Sequence, residues 1–159
     1  MRFAVVSDEV YPVHELVTDY LEAQGHEVER FGSLKTQRDE PYAQVALEAA
    51  QAVASGQCDE GVFFCWTGTG ISIAANKVPG IRAALCADPQ TAQGARTWNQ
   101  ANVLALSNRT LSSDLAREII DAWLKTPADA PRANDAVETL SVFEKTYSGY
   151  GVSHSDTKP

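Results

Sequence analysis

The sequence predicts a three-layer α/β fold built on a parallel sheet of five strands. Three observations lead there. Short β-rich apolar runs alternate with helix-patterned segments from one end of the chain to the other. Most of the apolar runs are uninterrupted rather than alternating, as in strands covered on both faces. Glycine, proline and serine separate the runs at the positions where turns and helix caps belong.

Each element can be justified in order. Phe3-Ala4-Val5-Val6 reads as a strand buried on both faces. Val13, Leu16, Val17, Tyr20 and Leu21 then fall on one helical stripe, and Gly25 supplies its stop. Glu27 to Phe31 alternates like a half-exposed edge strand, and residues 32–41 read as a loop. An alanine-rich helix follows from about Tyr42 to Ala54, closed by Gly56. Gly61 to Cys65 is the third strand, leading through a glycine-bearing turn into a short helix that ends near Lys77. Ile81 to Cys86 is the fourth. Asp88 and Pro89 provide an N-cap and a first-turn proline for a helix reaching about Trp98. Val103 to Leu106 is the fifth strand, and Ser112 or Ser113 caps a helix carrying Leu115, Ile119, Ile120 and Trp123. Val137 and Leu140 mark a last helix after Pro127 and Pro131, and from about Ser148 the polar stretch reads as a flexible tail.

Composition narrows the functional classes. The 159 residues, 44% hydrophobic and 21% charged, suit one domain. A formal charge of −8 disfavours general nucleic-acid binding. The apolar runs are far shorter than the ~20 residues needed to cross a bilayer, so no membrane partner is expected. Asp8 interrupts the place where a signal peptide would continue its apolar region. Cys58, Cys65 and Cys86 cannot all pair and show no metal-type spacing. A reduced, cytoplasmic domain without metal is the expectation.

In parallel sheets ligands gather beyond the carboxyl ends of the strands. The segment Cys65-Trp66-Thr67-Gly68-Thr69-Gly70-Ile71-Ser72 lies at such an end. Its glycines let the backbone approach a ligand, and free N–H groups opening the next helix attract an anion. A cysteine beside that partial positive charge is placed to act as a thiolate. Such a thiolate can take a proton from a carbon next to a carbonyl while the amides hold the enediolate oxygen. Taken alone, the segment equally fits a buried structural cysteine before an ordinary turn. It is neither a Walker loop nor a dinucleotide fingerprint.

The run from Cys65 to Ala84, containing Ser72-Ile73-Ala74-Ala75-Asn76-Lys77, closely resembles the signature of the ribose-5-phosphate isomerase B / galactose-6-phosphate isomerase (RpiB/LacAB) family. Ser7-Asp8, Asn99, Ala101 to Leu106 with Arg109, and Ala122-Trp123-Leu124 extend the resemblance over about residues 2–145. It implies a Rossmann-like sandwich, a homodimer with active sites shared across the interface (with tetramers as a further option), a sugar or sugar phosphate as substrate, and no cofactor. It also implies roles. Cys65 matches the base that moves a proton between C1 and C2, and Thr67 the hydroxyl that assists it. Gly68, Thr69, Gly70 and the amides of Ile71 and Ser72 match the anion hole. Asp8 matches a residue that contacts substrate hydroxyls, Asn99 one that reaches in from the partner subunit, and Arg109 and Arg132 the substrate and phosphate end.

The departures point to altered specificity. The family's phosphate-binding histidine is Glu9 here, its ring-opening histidine is Trp98, and the glycine after the cysteine is Trp66. Of the Arg-His-x-x-Arg pattern near the C-terminus only Arg132 remains, with Ala136 at the second arginine. The Asp39-Glu40-Pro41-Tyr42 segment departs from Asp-Tyr-Pro-x-Tyr, which suggests the loss of a substrate-facing tyrosine. Each lost charge-assisted contact is worth roughly 1.5–3 kcal/mol, so phosphate binding is expected to weaken. Trp98 offers no acid or base for ring opening but does offer a flat face for a sugar. The sequence therefore predicts an aldose–ketose isomerase for a short open-chain or unphosphorylated sugar. A non-catalytic subunit and an epimerase using the same intermediate are the alternatives. His14, His26, Asp39, Glu40, Asp59 and Glu60 read as solvated surface, and Cys58 and Cys86 as incidental or apolar filler.

Overall fold

A computed structural model describes residues 1–129 and 131–147. The expected tail, with His154, lies outside the described residues. The elements are β1 (Arg2–Ser7), α1 (Pro12–Ala23), β2 (Glu27–Gly32), α2 (Ser33–Thr36), α3 (Tyr42–Ala54), β3 (Glu60–Cys65), α4 (Thr69–Ala75), β4 (Ala83–Leu85), α5 (Pro89–Asn99), β5 (Val103–Ser107), α6 (Ser113–Lys125) and α7 (Asn134–Tyr147), with a short 3₁₀ turn at Pro131–Ala133. The five strands are parallel in the order β2-β1-β3-β5-β4. Among the described residues no helix is long and apolar enough to cross a membrane.

Strand alternation sorts the core into two layers. Phe3, Val5, Val62, Phe64, Leu104 and Leu106 pack with α1, α5 and α6 on one face. Ala4, Val6, Phe63, Cys65, Val103 and Ala105 pack with α3 and α4 on the other. The alanines of α3 (Ala46, Ala49, Ala50) are fully buried and let that helix lie close to the sheet. The chain leaves β1 toward α1 and β3 toward α4, on opposite faces. The loops after these neighbouring strands thus turn to opposite faces, the arrangement that places ligand sites at the carboxyl ends of parallel sheets.

The predicted caps are in place. Asp88 Oδ1 accepts from Thr91 N at 2.7 Å to open α5. Ser112 Oγ, not Ser113, accepts from Leu115 N at 3.2 Å to open α6. Residues 32–41, expected as loop, contain the single turn α2, whose Leu34 is buried. The fourth strand is shorter than expected, spanning Ala83–Leu85. Backbone bonds continue on both flanks, from Cys86 N to Ala105 O at 3.0 Å and from Asn102 N to Arg82 O at 3.2 Å, and side chains reinforce the leading one. Asn102 Oδ1 accepts from Arg82 N at 2.8 Å, and Asn102 Nδ2 donates to Gly80 O at 2.9 Å. On the outer edge, Asn76 Oδ1 accepts from Ala83 N at 2.9 Å while its Nδ2 donates to Ala83 O at 2.8 Å.

Two groups expected at the surface are buried. Glu60, which opens β3, is ion-paired to Arg96 on α5 at 2.6 Å and accepts from Trp123 Nε1 on α6 at 2.6 Å. The Arg96 guanidinium also lies 4.7 Å from the Trp123 ring centroid and donates to the carbonyls of Ala101 and Thr126. A carboxylate at the end of a buried strand persists only with such partners, which is why it does not face solvent. His14 is likewise buried, only 2% exposed, because α1 turns it inward onto Phe64 rather than outward.

Candidate active site

Three loops at the carboxyl ends of β1, β3 and β5 converge, and backbone hydrogen bonds zip the last two together. Asn108 N donates to Cys65 O at 3.0 Å, and Arg109 N to Trp66 O at 3.0 Å. Ser107 Oγ donates to the same Trp66 carbonyl at 3.0 Å. Both peptide planes after Cys65 are thereby fixed, with Cys65 itself 5% exposed at the strand terminus. The two other cysteines are buried elsewhere, and burial pushes their thiols up, Cys58 to about 11 and Cys86 to about 12.

The turn between β3 and α4 requires its first glycine. Gly68 has φ +75°, and a Cβ there would lie 2.4 Å from Leu85 Cδ1 and 3.0 Å from the Leu106 backbone carbon. Gly68→Ala is expected to cost at least the ~1–2 kcal/mol of a left-handed conformation, plus displacement of the β5 backbone. Chemical denaturation beside wild type checks it. The Thr67 and Thr69 hydroxyls are 2.6 Å apart, so one donates to the other and they form a joint donor–acceptor pair on the exposed side of the turn. Gly70 is covered by the Tyr42 ring, whose Cε2 would be 2.9 Å from a Cβ at that position. A tyrosine therefore does stand beside the loop, despite the altered segment before α3, although it reaches it from the first residue of that helix. The Ile71 side chain is wholly in the core, and Ser72 Oγ donates to Ala83 O at 3.5 Å. For Ile71 the backbone amide is what the site can use, whereas the Ser72 amide, expected in the anion hole, is spent on Gly68 O at 3.3 Å inside α4.

The β1–α1 loop forms the opposite wall. The Asp8 carbonyl accepts from Ser33 Oγ at 2.5 Å and Glu40 N at 2.9 Å, which ties this loop to the start of α3. Asp8 Oδ1 is buried without a hydrogen-bond partner among the described residues. Burial raises the Asp8 carboxyl above its usual range; hydrogen bonds from its own backbone N–H and that of Glu9 oppose the rise, and the charges of Glu9 and Asp39 add to it. Glu9 Oε2 accepts from the Tyr11 hydroxyl at 2.5 Å, and this bond raises the Tyr11 phenol. The Tyr11 ring lies 6.2 Å from that of Trp66, which is half exposed.

One chain thus brings together Asp8, Glu9, Trp66, Thr67, Gly68, Thr69, Gly70 and the backbone of Arg109 around Cys65. Trp98 and Asn99 stand apart from them. They end α5, which runs back from the carboxyl end of β4 to the amino end of β5, so they lie at the far end of the sheet. The Trp98 ring is 59% exposed and folds over Gly94, where a Cβ would be 2.8 Å from its Cζ3. Asn99 faces a cavity of about 500 Å³ shared with Arg82, Val137 and Leu140. The Arg132 side chain lies outside the described residues, although its backbone forms part of the 3₁₀ turn.

The residue that sequence reasoning missed is His14. Its Nδ1 accepts from Tyr11 N at 3.1 Å and its Nε2 lies 2.7 Å from Asn108 Oδ1. The local signal was its place on the apolar stripe, between Val13 and Val17, where a solvated histidine does not belong.

Comparison with known proteins places the chain in a family. The profile of the family described as Ribose/Galactose Isomerase matches residues 3–140. Ribose-5-phosphate isomerase B of Escherichia coli is 42% identical over 132 residues, covering 83% of this chain and 87% of that protein. D-erythrulose-4-phosphate isomerase of Pectobacterium atrosepticum is 40% identical over 128 residues, covering 80% and 84%. The structure of Clostridium thermocellum ribose-5-phosphate isomerase B superposes with a TM-score of 0.84 at 41% identity, covering 92% of this chain and 99% of that one. With a matching profile over most of its length and relatives of this identity, the chain belongs to the ribose/galactose isomerase (RpiB/LacAB) family and is a sugar-phosphate-family aldose–ketose isomerase.

Proposed function

We propose that this enzyme interconverts a short, open-chain aldose and ketose through an enediolate, with Cys65 as the base. The observation that carries the reading is the fixed placement of Cys65 where β3 ends, between the zipped Trp66 and Asn108 peptides and the Gly68–Gly70 turn. The Cys65 thiolate removes a proton from the carbon beside the carbonyl, and the electron pair moves to the carbonyl oxygen. The turn amides hold that oxygen, and the coupled Thr67 and Thr69 hydroxyls are within one proton hop of each other to service the neighbouring one. Return of the proton to the other carbon completes the isomerisation. The scheme needs no cofactor.

Trp98 and Glu9 favour a small acyclic substrate. Trp98 stands where the family carries its ring-opening histidine, and an indole cannot move that proton. Four-carbon sugars substituted at C4, of the kind named for the Pectobacterium relative, have no hydroxyl left to close a five-membered ring and so need no ring opening. Glu9 sets an anion where phosphate is expected, so unphosphorylated sugars belong in the substrate panel. Because Trp98 and Asn99 lie at the far end of the sheet from Cys65, they can serve only the site of another copy, which supports a homodimer with shared sites. The cytoplasm supplies the reducing conditions that a thiolate base requires.

The test is carbon-bound proton exchange in D₂O, followed by NMR, across tetroses, pentoses and hexoses with and without phosphate. Fastest exchange with a tetrose supports the reading, and fastest exchange with a cyclic pentose phosphate overturns the assigned specificity. Glu9→His is expected to raise kcat/KM for a phosphorylated substrate, relative to its unphosphorylated form, by about tenfold or more. An unchanged ratio would remove Glu9 from specificity.

A further inference from the structure

The His14 side chain contacts the β1–α1 loop, the end of β3 and the β5–α6 loop. Its Nδ1 accepts from the Tyr11 backbone in the β1–α1 loop at 3.1 Å. Its ring lies 4.5 Å, centroid to centroid, from that of Phe64, the residue before Cys65. Its Nε2 meets Asn108 Oδ1 in the β5–α6 loop at 2.7 Å. The relay has only one consistent proton assignment. A backbone N–H can only donate, so Nδ1 must be bare. The single ring proton of the neutral imidazole is then on Nε2, where it donates to Asn108 Oδ1. That bond fixes which end of the Asn108 carboxamide faces α1. It leaves Asn108 Nδ2 as a buried donor without an acceptor among the described residues. The Asn108 backbone, in turn, is bonded to the Cys65 carbonyl.

We propose that neutral His14 is a positioning residue for the isomerase site: it holds the Asn108 carboxamide, and through it the β5–α6 loop, in register with Cys65. It does not touch the reacting carbons. Protonation of Nδ1 would set one N–H against another, that of Tyr11, and release the β1–α1 loop carrying Asp8 and Glu9. The groups facing the ring are consistent with a neutral imidazole. On its own helix Glu15 is engaged by Arg30 of β2 at 3.3 Å, from the loop side Glu9 is engaged by the Tyr11 hydroxyl, and β3 and β5 present Phe64 and the uncharged Asn108. Burial lowers the proton affinity of His14 below the ordinary 6.5, with the Asn108 bond opposing it in part. Because the folded form binds this proton more weakly than the unfolded one, the positioning is complete at the ordinary 6.5 and above and is lost only as pH falls through the lower value of the folded form.

This inference rests on the isomerase reading, and the experiment separates the two. Wild type, His14→Leu and His14→Gln are compared by steady-state kinetics from pH 5 to 8, using the sugar that exchanges fastest in wild type. Leucine keeps the apolar contact with Phe64 but cannot donate. A misplaced loop costs about 10–100-fold, expected in kcat with KM little changed. Glutamine keeps a neutral donor and acceptor, and is expected to recover most of that loss and to remove the His14 component of the decline below pH 6.5. Nitrogen-15 NMR of folded wild type is expected to report the Nε2–H tautomer, which decides the matter even if His14→Leu does not fold. Wild-type kcat and wild-type acid limbs in both folded variants, or an Nδ1–H tautomer, would overturn the positioning role. Absence of any exchange by wild type would instead overturn the isomerase reading itself.

Discussion

Replacing Cys65 by alanine is expected to lower carbon-bound proton exchange by about 10²–10⁴-fold, the usual contribution of a positioned general base. The fold should be almost unaffected. β3 is hydrogen-bonded on both sides, to β1 and β5, and the Cys65 carbonyl that receives the Asn108 and Gly68 amides belongs to the backbone. Thermal melting within a few degrees of wild type, together with lost exchange, would therefore assign the loss to the sulfur. Cys65→Ser is the sharper control, because it keeps a polar atom at the same site but not a basic one. Exchange in folded Cys65→Ala at the wild-type rate would remove the cysteine from the chemistry. The base would then have to be sought at Asp8, whose buried Oδ1 has no donor among the described residues.

The largest stability effect is expected at the Glu60–Arg96 pair. Both side chains are nearly excluded from solvent, 11% and 8% exposed, so water does little to screen them. Glu60→Ala leaves a guanidinium buried among Trp123 and two carbonyls, and it strands the Trp123 N–H as well. Breaking such a pair from one side costs about 3–5 kcal/mol. Urea unfolding should show it as a lower midpoint with an unchanged slope. A cost below about 1 kcal/mol would mean that the pair is solvated in the native state. The pair joins the start of β3 to α5 and α6, so a secondary loss of activity is expected through Trp98 and Asn99, two and three residues beyond Arg96.

The strands, most helices and the Cys65 loop were legible because they depend on patterns within a few residues. The run Val62-Phe63-Phe64-Cys65 can only be a buried strand, and Gly68 and Gly70 announce a close backbone approach. His14 and Glu60 were not legible because their meaning lies far along the chain. Asn108 is 94 residues from His14, and Arg96 and Trp123 are 36 and 63 from Glu60. A charge opening an otherwise apolar strand does signal that a partner must exist, but not which one. The late start of β4 escaped for a related reason. Apolar character marks Ile81 to Cys86 as strand-like, while the Arg82 N–H at the leading end is taken by the Asn102 side chain.

The asparagines beside β4 have a consequence for how the molecule behaves in a crowded solution. β4 is the outermost strand on its side of the sheet, and an exposed strand margin is a template on which another chain can add itself. The Asn76 carboxamide occupies both outward-facing backbone groups of Ala83, as the next strand's peptide would. With only three residues in the strand, little template remains. The same residue that closes the Ser72–Asn76 segment thus works as a stopper against fibrous polymerisation, a hazard carried by every open sheet and unconnected with turnover.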